Sequence, residues 1–250
     1  MGFLDKFKGT TEVPSTSTVS LEKKTALSLK KEEIHKISLT KQTRNGTTPL
    51  NGLKARVLLA MDFSGSMNRM FKDGTVQAVL EQMLPMAMEF DDDGQMEVWL
   101  FDNEYRRLPS ITLNNIENYV QREILANKWH MGGTNYAPVM QDITRVCVET
   151  NAREGKLPAY VIFITDGANA DKTATKQIIK EASFYPIFWK YVGIGGESFP
   201  FLERLDDLKD RNVDNADYFA VFDPSEITYD QLLEEFPDWL EYDQVKGMLV

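Results

Sequence analysis

Val57-Leu58-Leu59-Ala60-Met61-Asp62-Phe63-Ser64-Gly65-Ser66-Met67 is the stretch on which the reading of this chain turns. Its apolar run leaves no polar face on either side. That predicts a strand covered on both faces, as in a parallel sheet between two helix layers. The run ends on a carboxylate, Asp62. Two hydroxyls follow it at the second and fourth positions, Ser64 and Ser66, on a turn that contains Gly65. Such hard oxygen donors suit a divalent cation. Three residues alone are a weak signal, since any of them can serve as a cap for the turn or helix that follows.

Downstream of this stretch the pattern repeats as strand and helix. A helical spacing runs from Thr75 to Leu84, with Thr75 expected as its N-cap and Pro85 as a bend. Strands are expected at Met96–Phe101, Tyr105–Leu108, Tyr160–Thr165, Pro186–Ile194 and Tyr218–Phe222. Helices are expected at Ile116–Leu125, in the segment around Cys147, at about 171–183 and at Phe199–Leu208. This alternation implies a doubly wound, mostly parallel six-stranded sheet flanked by helices, an α/β fold. In such folds ligands lie beyond the carboxyl ends of the strands. Asp166 directly follows the most hydrophobic strand, and Thr134 stands in the loop Gly132-Gly133-Thr134-Asn135, which feeds a helix. The topology therefore expects Asp62, Ser64, Ser66, Thr134 and Asp166 in one crevice.

Upstream and beyond, three regions are distinguished: an N-terminal basic arm and linker at 1–52, the α/β domain at 53–223, and an acidic helical extension at 224–250 that docks on it. The chain has 250 residues and a formal charge of −10. Residues 1–50 carry nine Lys/Arg against five Asp/Glu, a net of +4, which leaves −14 for the rest. That balance argues against general nucleic-acid binding, which needs clustered cations. The arm fits short strands or a helical turn equally, with His35 solvated, and is expected to meet something acidic. The opening Met1-Gly2-Phe3-Leu4-Asp5-Lys6-Phe7-Lys8 is expected to fray and to offer at most weak membrane contact. Tyr229–Leu240 reads as an amphipathic helix with Leu232, Leu233, Phe236 and Leu240 on one side. Cys147 is the one cysteine, which excludes an intrachain disulfide and points to a buried thiol in a reducing compartment. No apolar run approaches the ~20 residues of a membrane span, and the expected location is cytoplasmic.

Asp62-Phe63-Ser64-Gly65-Ser66, a later loop threonine at Thr134, and Asp166-Gly167 after a strand together resemble the metal-ion-dependent adhesion site of von Willebrand factor A domains. The resemblance covers about residues 54–222. Phe71–Gln77, Phe90–Gly94, Phe101-Asp102 and Glu235-Phe236-Pro237-Asp238-Trp239-Leu240 are similar to the bacterial von Willebrand A proteins of the tellurium-resistance group. The Ser-Leu-x-Lys segments of the arm resemble the start of that group's TerD-type proteins, though no full domain of that kind is present. The resemblance implies that Asp62, Ser64, Ser66, Thr134 and Asp166 hold a divalent cation, Mg²⁺ first, with Mn²⁺ or Ca²⁺ as alternatives. It implies that the two aspartates often act through bound water, and that an Asp or Glu of a partner protein completes the coordination. A role in tellurite or related stress follows from the same likeness.

Competing readings are fewer. No G-x-x-x-x-G-K-[ST] loop, H-E-x-x-H pair or G-x-S-x-G elbow is present. A metal-dependent hydrolase or phosphatase using Asp62 would lack the second carboxylate two residues on, where Ser64 stands. His130, three residues before Gly133, is the alternative general base. A stress protein that binds metal without a carboxylate partner and a membrane-surface adaptor using the basic arm complete the set. Asn135, Met67 and Met70 are expected near the mouth of the site, the methionines in packing roles. The expectation is a non-enzymatic binding module.

Overall fold

The computed structural model describes residues 19–40, 52–91, 93–167, 169–196 and 198–249. The opening octapeptide, the Ser/Thr linker after it, and the linker expected at 42–52, apart from Gly52, lie outside the described residues. Six strands form one sheet: β1 (Arg56–Asp62), β2 (Met96–Phe101), β3 (Tyr105–Ile111), β4 (Ala159–Thr165), β5 (Ile187–Ile194) and β6 (Ala216–Val221). Their order is β3-β2-β1-β4-β5-β6, and all neighbours run parallel except β3 against β2. The α/β expectation holds.

Alternation along the central strands explains their unbroken hydrophobicity. Val57, Leu59 and Met61 of β1 and Tyr160, Ile162 and Ile164 of β4 enter one core, while Leu58, Ala60, Val161 and Phe163 enter the other. The first core is closed by α1 (Leu21–Thr40), α3 (Thr75–Phe90) and the C-terminal helices α7 (Tyr229–Leu232), α8 (Phe236–Leu240) and α9 (Asp243–Met248). The second is closed by α4 (Ala137–Glu154), α5 (Lys172–Ala182) and α6 (Pro200–Asp206). A short α2 (Asn68–Lys72) lies between the oxygen-rich turn and α3. The chain leaves β1 toward β2 on one side and β4 on the other. The carboxyl ends of β1 and β4 therefore flank the switch point where doubly wound sheets hold ligands.

Five local readings differ in the structure. The arm from Leu21 onward is a twenty-residue helix rather than strands or a single turn. It lies on α3, burying Leu27 and Ile34, with Lys23 paired to Glu81 at 2.6 Å and Lys30 bonded to Gln82 at 2.9 Å. His35 is not simply solvated, because its Nδ1 lies 2.6 Å from Glu89 Oε1. The acidic partner this arm meets is its own domain. At α3, Gly74 takes φ +90° and the Asp73 carboxylate accepts the Thr75 N–H at 3.0 Å, so Asp73 does the capping expected of Thr75.

The helix expected at Ile116–Leu125 is instead a π-turn at Val120–Ile124 followed by a 3-10 turn. The Val120 N–H goes to the Gln77 side chain at 3.0 Å, and Asn118 has φ +55°, so no regular ladder starts there. The segment Tyr229–Leu240 divides into α7 and α8, since Glu235 takes φ +60° and Pro237 begins a new first turn. Leu232, Leu233, Phe236 and Trp239 are nonetheless buried in the first core, and the Tyr160 hydroxyl donates to the Leu232 carbonyl.

Candidate metal centre

Asp62 is the last residue of β1 and is fully buried. Its Oδ1 accepts the Ser64 N–H at 2.8 Å, a turn that folds the chain back over the strand end. Its Oδ2 accepts the Thr165 hydroxyl at 2.7 Å. From there a chain of oxygens runs outward. Ser64 Oγ lies 3.0 Å from Ser66 Oγ, and the Ser66 hydroxyl donates to Asp166 Oδ1 at 2.9 Å. Four of the five expected residues are thus linked by direct hydrogen bonds, across the ends of neighbouring strands β1 and β4.

Thr134 arrives by a different route. Its loop is bridged to Ser64 through Gly132, whose carbonyl accepts the Gly65 N–H at 3.2 Å. On the other side the Thr134 carbonyl accepts the Ala170 N–H at 2.9 Å. The loop is therefore tied both to the turn after β1 and to the segment after β4. Among the described residues the Thr134 hydroxyl makes no hydrogen bond. The loop passes close to the Asn103 side chain: a Cβ on Gly133 would lie 2.8 Å from Asn103 Oδ1, and one on Gly132 would lie 3.1 Å from Asn103 Nδ2. Asn135 donates its N–H to the Asp102 carbonyl at 2.9 Å, which pins the loop to the end of β2.

Several supporting residues carried no signal strong enough to assign them from sequence. Thr165 ends the strand expected at Tyr160–Thr165, and nothing in the sequence there assigns it a role. Tyr136 Oη donates to the Gly167 carbonyl at 2.6 Å and lies 3.1 Å from Thr165 Oγ1. Asp171 caps α4 from outside its own helix, accepting the N–H groups of Tyr136 at 3.0 Å and Ala137 at 2.7 Å. The polar run after Thr165 could have flagged a capping segment, but only the fold reveals that it caps α4. Met67 is fully buried and Met70 packs against the first core, as expected of packing methionines. His130 is exposed on the loop.

Electrostatics single out Asp62. Burial pushes its carboxyl up to about 6, against the opposing hydrogen bonds from Thr165 and Ser64, and the neighbouring Asp166 charge adds to the rise. Asp166 is raised by burial as well. Two converging carboxylates with only hydroxyl and amide partners leave negative charge that a cation neutralises. The donor set, two carboxylates and three hydroxyls, fits a hard ion that prefers oxygen, and offers nothing to a soft one. Among the described residues no cluster of three or more His, Cys, Asp or Glu forms a competing site.

A six-stranded, doubly wound sheet with this turn at the end of its first strand defines a von Willebrand factor A domain. The family model for the von Willebrand A domain found in the TerF C terminus matches residues 54–249, and the chain belongs to this tellurium-resistance-associated family. The uncharacterized protein YcbR of Bacillus subtilis (strain 168) is 39% identical over 239 residues, which cover 93% of this chain and 90% of YcbR. Two solved structures share the fold. Manganese-loaded Plasmodium vivax TRAP protein aligns at TM-score 0.52 and 17% identity, over 74% of this chain and 73% of that one. The von Willebrand factor type A protein from Catenulispora acidiphila aligns at TM-score 0.50 and 16% identity, over 79% of this chain but 43% of its own. Among the described residues no helix is long and apolar enough to cross a membrane.

Proposed function

We propose that this chain is a non-enzymatic protein-binding module whose Asp62, Ser64, Ser66, Thr134 and Asp166 hold a divalent cation that captures an Asp or Glu of a partner protein. The observation that carries this reading is the run of converging oxygens from buried Asp62 through Ser64 and Ser66 to Asp166. A bound cation supplies an electrophilic centre for an incoming carboxylate. The chain's own residues do the rest. Asp62 and Asp166 furnish negative charge, the three hydroxyls furnish neutral oxygen, and Thr165 fixes the Asp62 carboxylate from beneath. With the two aspartates acting through bound water, the direct donors would be neutral hydroxyls, which would leave a dication electrophilic and favour a further anionic ligand from outside. Mg²⁺ is the first choice, with Mn²⁺ and Ca²⁺ as alternatives. Membership of the TerF-like family supports a role in the response to tellurite or related chemical stress, and the location proposed for it is the cytoplasm.

The test is retention of a partner by the immobilised full chain from lysate of stressed bacteria. Retention should need Mg²⁺ or Mn²⁺, vanish with chelator, and vanish in Thr134→Ala while the far-ultraviolet circular dichroism is unchanged. Turnover of a generic phosphoester that is lost in Asp62→Ala would replace this reading with the metal-dependent hydrolase. Vesicle binding that disappears on deleting residues 1–50 would favour the membrane-surface adaptor.

A further inference from the structure

A buried phenol stands behind the oxygen cluster. Tyr136 follows Thr134 by two residues and is fully buried. Phe101 and Phe163 pack edge-on against its ring, with centroids 5.8 Å and 4.9 Å away, so its hydroxyl is held in place. That hydroxyl reaches the Gly167 carbonyl at 2.6 Å and Thr165 Oγ1 at 3.1 Å. The Thr165 hydroxyl in turn has Asp62 Oδ2 at 2.7 Å and the same Gly167 carbonyl at 3.3 Å.

The proton count fixes the direction of each bond. A phenol and a threonine hydroxyl carry one hydrogen each. The shorter contact commits the phenol's hydrogen to Gly167. With that carbonyl served, the Thr165 hydrogen goes to Asp62, the nearer acceptor and the charged one. The Gly167 N–H, 3.3 Å from Thr165 Oγ1, fills an acceptor position on that oxygen and suits the same direction. Without the phenol the Gly167 carbonyl would lose its best donor, and Thr165 is the hydroxyl placed to replace it. The turn after β4 would still be held, because Ser66 donates to Asp166 and the Ala170 N–H reaches the Thr134 carbonyl. What the phenol alone decides is where the Thr165 hydrogen points.

We propose that Tyr136 is a positioning residue of the metal centre, which occupies the Gly167 carbonyl, thereby keeps the Thr165 hydroxyl on Asp62, and so fixes the buried carboxylate for the cation. The inference rests on the cation reading above and adds to it a residue two hydrogen bonds removed from Asp62. Groups that orient a ligand from behind typically carry 10–100-fold in metal affinity.

Calorimetry of the full chain with Mg²⁺, Mn²⁺ or Ca²⁺ alone tests it. Tyr136→Phe should weaken the tightest of these ions by about 10–100-fold, with the circular dichroism spectrum retained. Thr165→Val should weaken it similarly, and Thr165→Ser, which keeps the hydroxyl, should bind like the wild type. The double variant Tyr136→Phe, Thr165→Val should be no weaker than Thr165→Val, because the phenol acts through that hydroxyl. Phe201→Leu changes packing near the same ring, 6.3 Å between centroids, and removes no hydrogen bond. It should lower the thermal transition and leave the affinity unchanged. Wild-type affinity in Tyr136→Phe would overturn the proposal, as would single losses that multiply in the double variant, or a loss in Phe201→Leu equal to that in Tyr136→Phe. A wild-type chain that binds none of the ions would refute the metal centre itself, and this proposal with it.

Discussion

Thr165 shows how a residue outside the expected ligand set governs the site. Its hydroxyl is the deepest hydrogen-bond donor to Asp62 and touches the Tyr136 hydroxyl as well. Thr165→Val keeps the shape and removes the donor, leaving a buried carboxylate short of one partner. We expect a loss of about 1–3 kcal/mol in urea unfolding and weaker cation binding in titration, with no change in secondary structure. Cys147 gives a second residue-scale test. Burial pushes its thiol up to about 12, so thiolate is scarce at neutral pH. An aromatic disulfide reagent should label it in urea but not in the native protein, and rapid native labelling would contradict its placement. At this scale the convergence of Asp62, Ser64, Ser66 and Asp166 was legible because their oxygens stand at fixed offsets from two strand ends. Thr165, Tyr136 and Asp171 were not, because each acts across the fold on a residue about thirty or more positions away.

Helix α1 is the element whose attachment the sequence hid. Among its described side chains Leu27 and Ile34 are buried, as is Val19 just before it, and Ile37 is partly so, while Leu21 and Leu29 are exposed. So narrow a stripe, interleaved with lysines, leaves no broad apolar face by which to recognise a packed helix. Its ion pairs with α3 are partly exposed, and such pairs each contribute about 0–1 kcal/mol. The buried aliphatic residues therefore decide the docking. Ile34→Ala should cost about 2–4 kcal/mol if α1 unfolds with the domain, whereas Lys23→Ala should cost under about 1 kcal/mol. Equal effects of the two in chemical denaturation would show that charge, not packing, holds α1. The sheet was legible for the opposite reason. β1 and β4 bury both faces, so their hydrophobicity is continuous and independent of which helix covers them. The C-terminal break at Glu235 escaped notice because the apolar spacing continues through it.

Across the whole molecule, net charge and its placement set the response to pH. Asp206, Asp214, Asp217 and Glu235 line a cavity of about 200 Å³ beside Phe188 and Trp239 at the end of the sheet opposite the oxygen cluster. Burial, reinforced by the charges of Asp217, Asp214 and Asp207, raises Asp206 from its ordinary 3.8 to about 7. The folded state then holds this proton more tightly than the unfolded chain. Its stabilising contribution is full below pH ~4 and is lost as pH rises through about 7. Asp206→Asn should therefore stabilise the protein at pH 8 by about 1 kcal/mol, after allowance for solvent screening, and show no gain at pH 4. A gain at pH 4 alone would reverse the assignment. The same excess of acidic groups recurs at the strand ends, where Asp62 and Asp166 converge and where the central claim is most directly tested. Calorimetric titration of the full chain with Mg²⁺, Mn²⁺ and Ca²⁺ should give saturable one-to-one binding of at least one ion. That binding should be abolished in Asp62→Ala and weakened in Ser64→Ala and Thr134→Ala. Absence of any saturable heat in the wild type, or binding that persists unchanged in Asp62→Ala, would contradict the account.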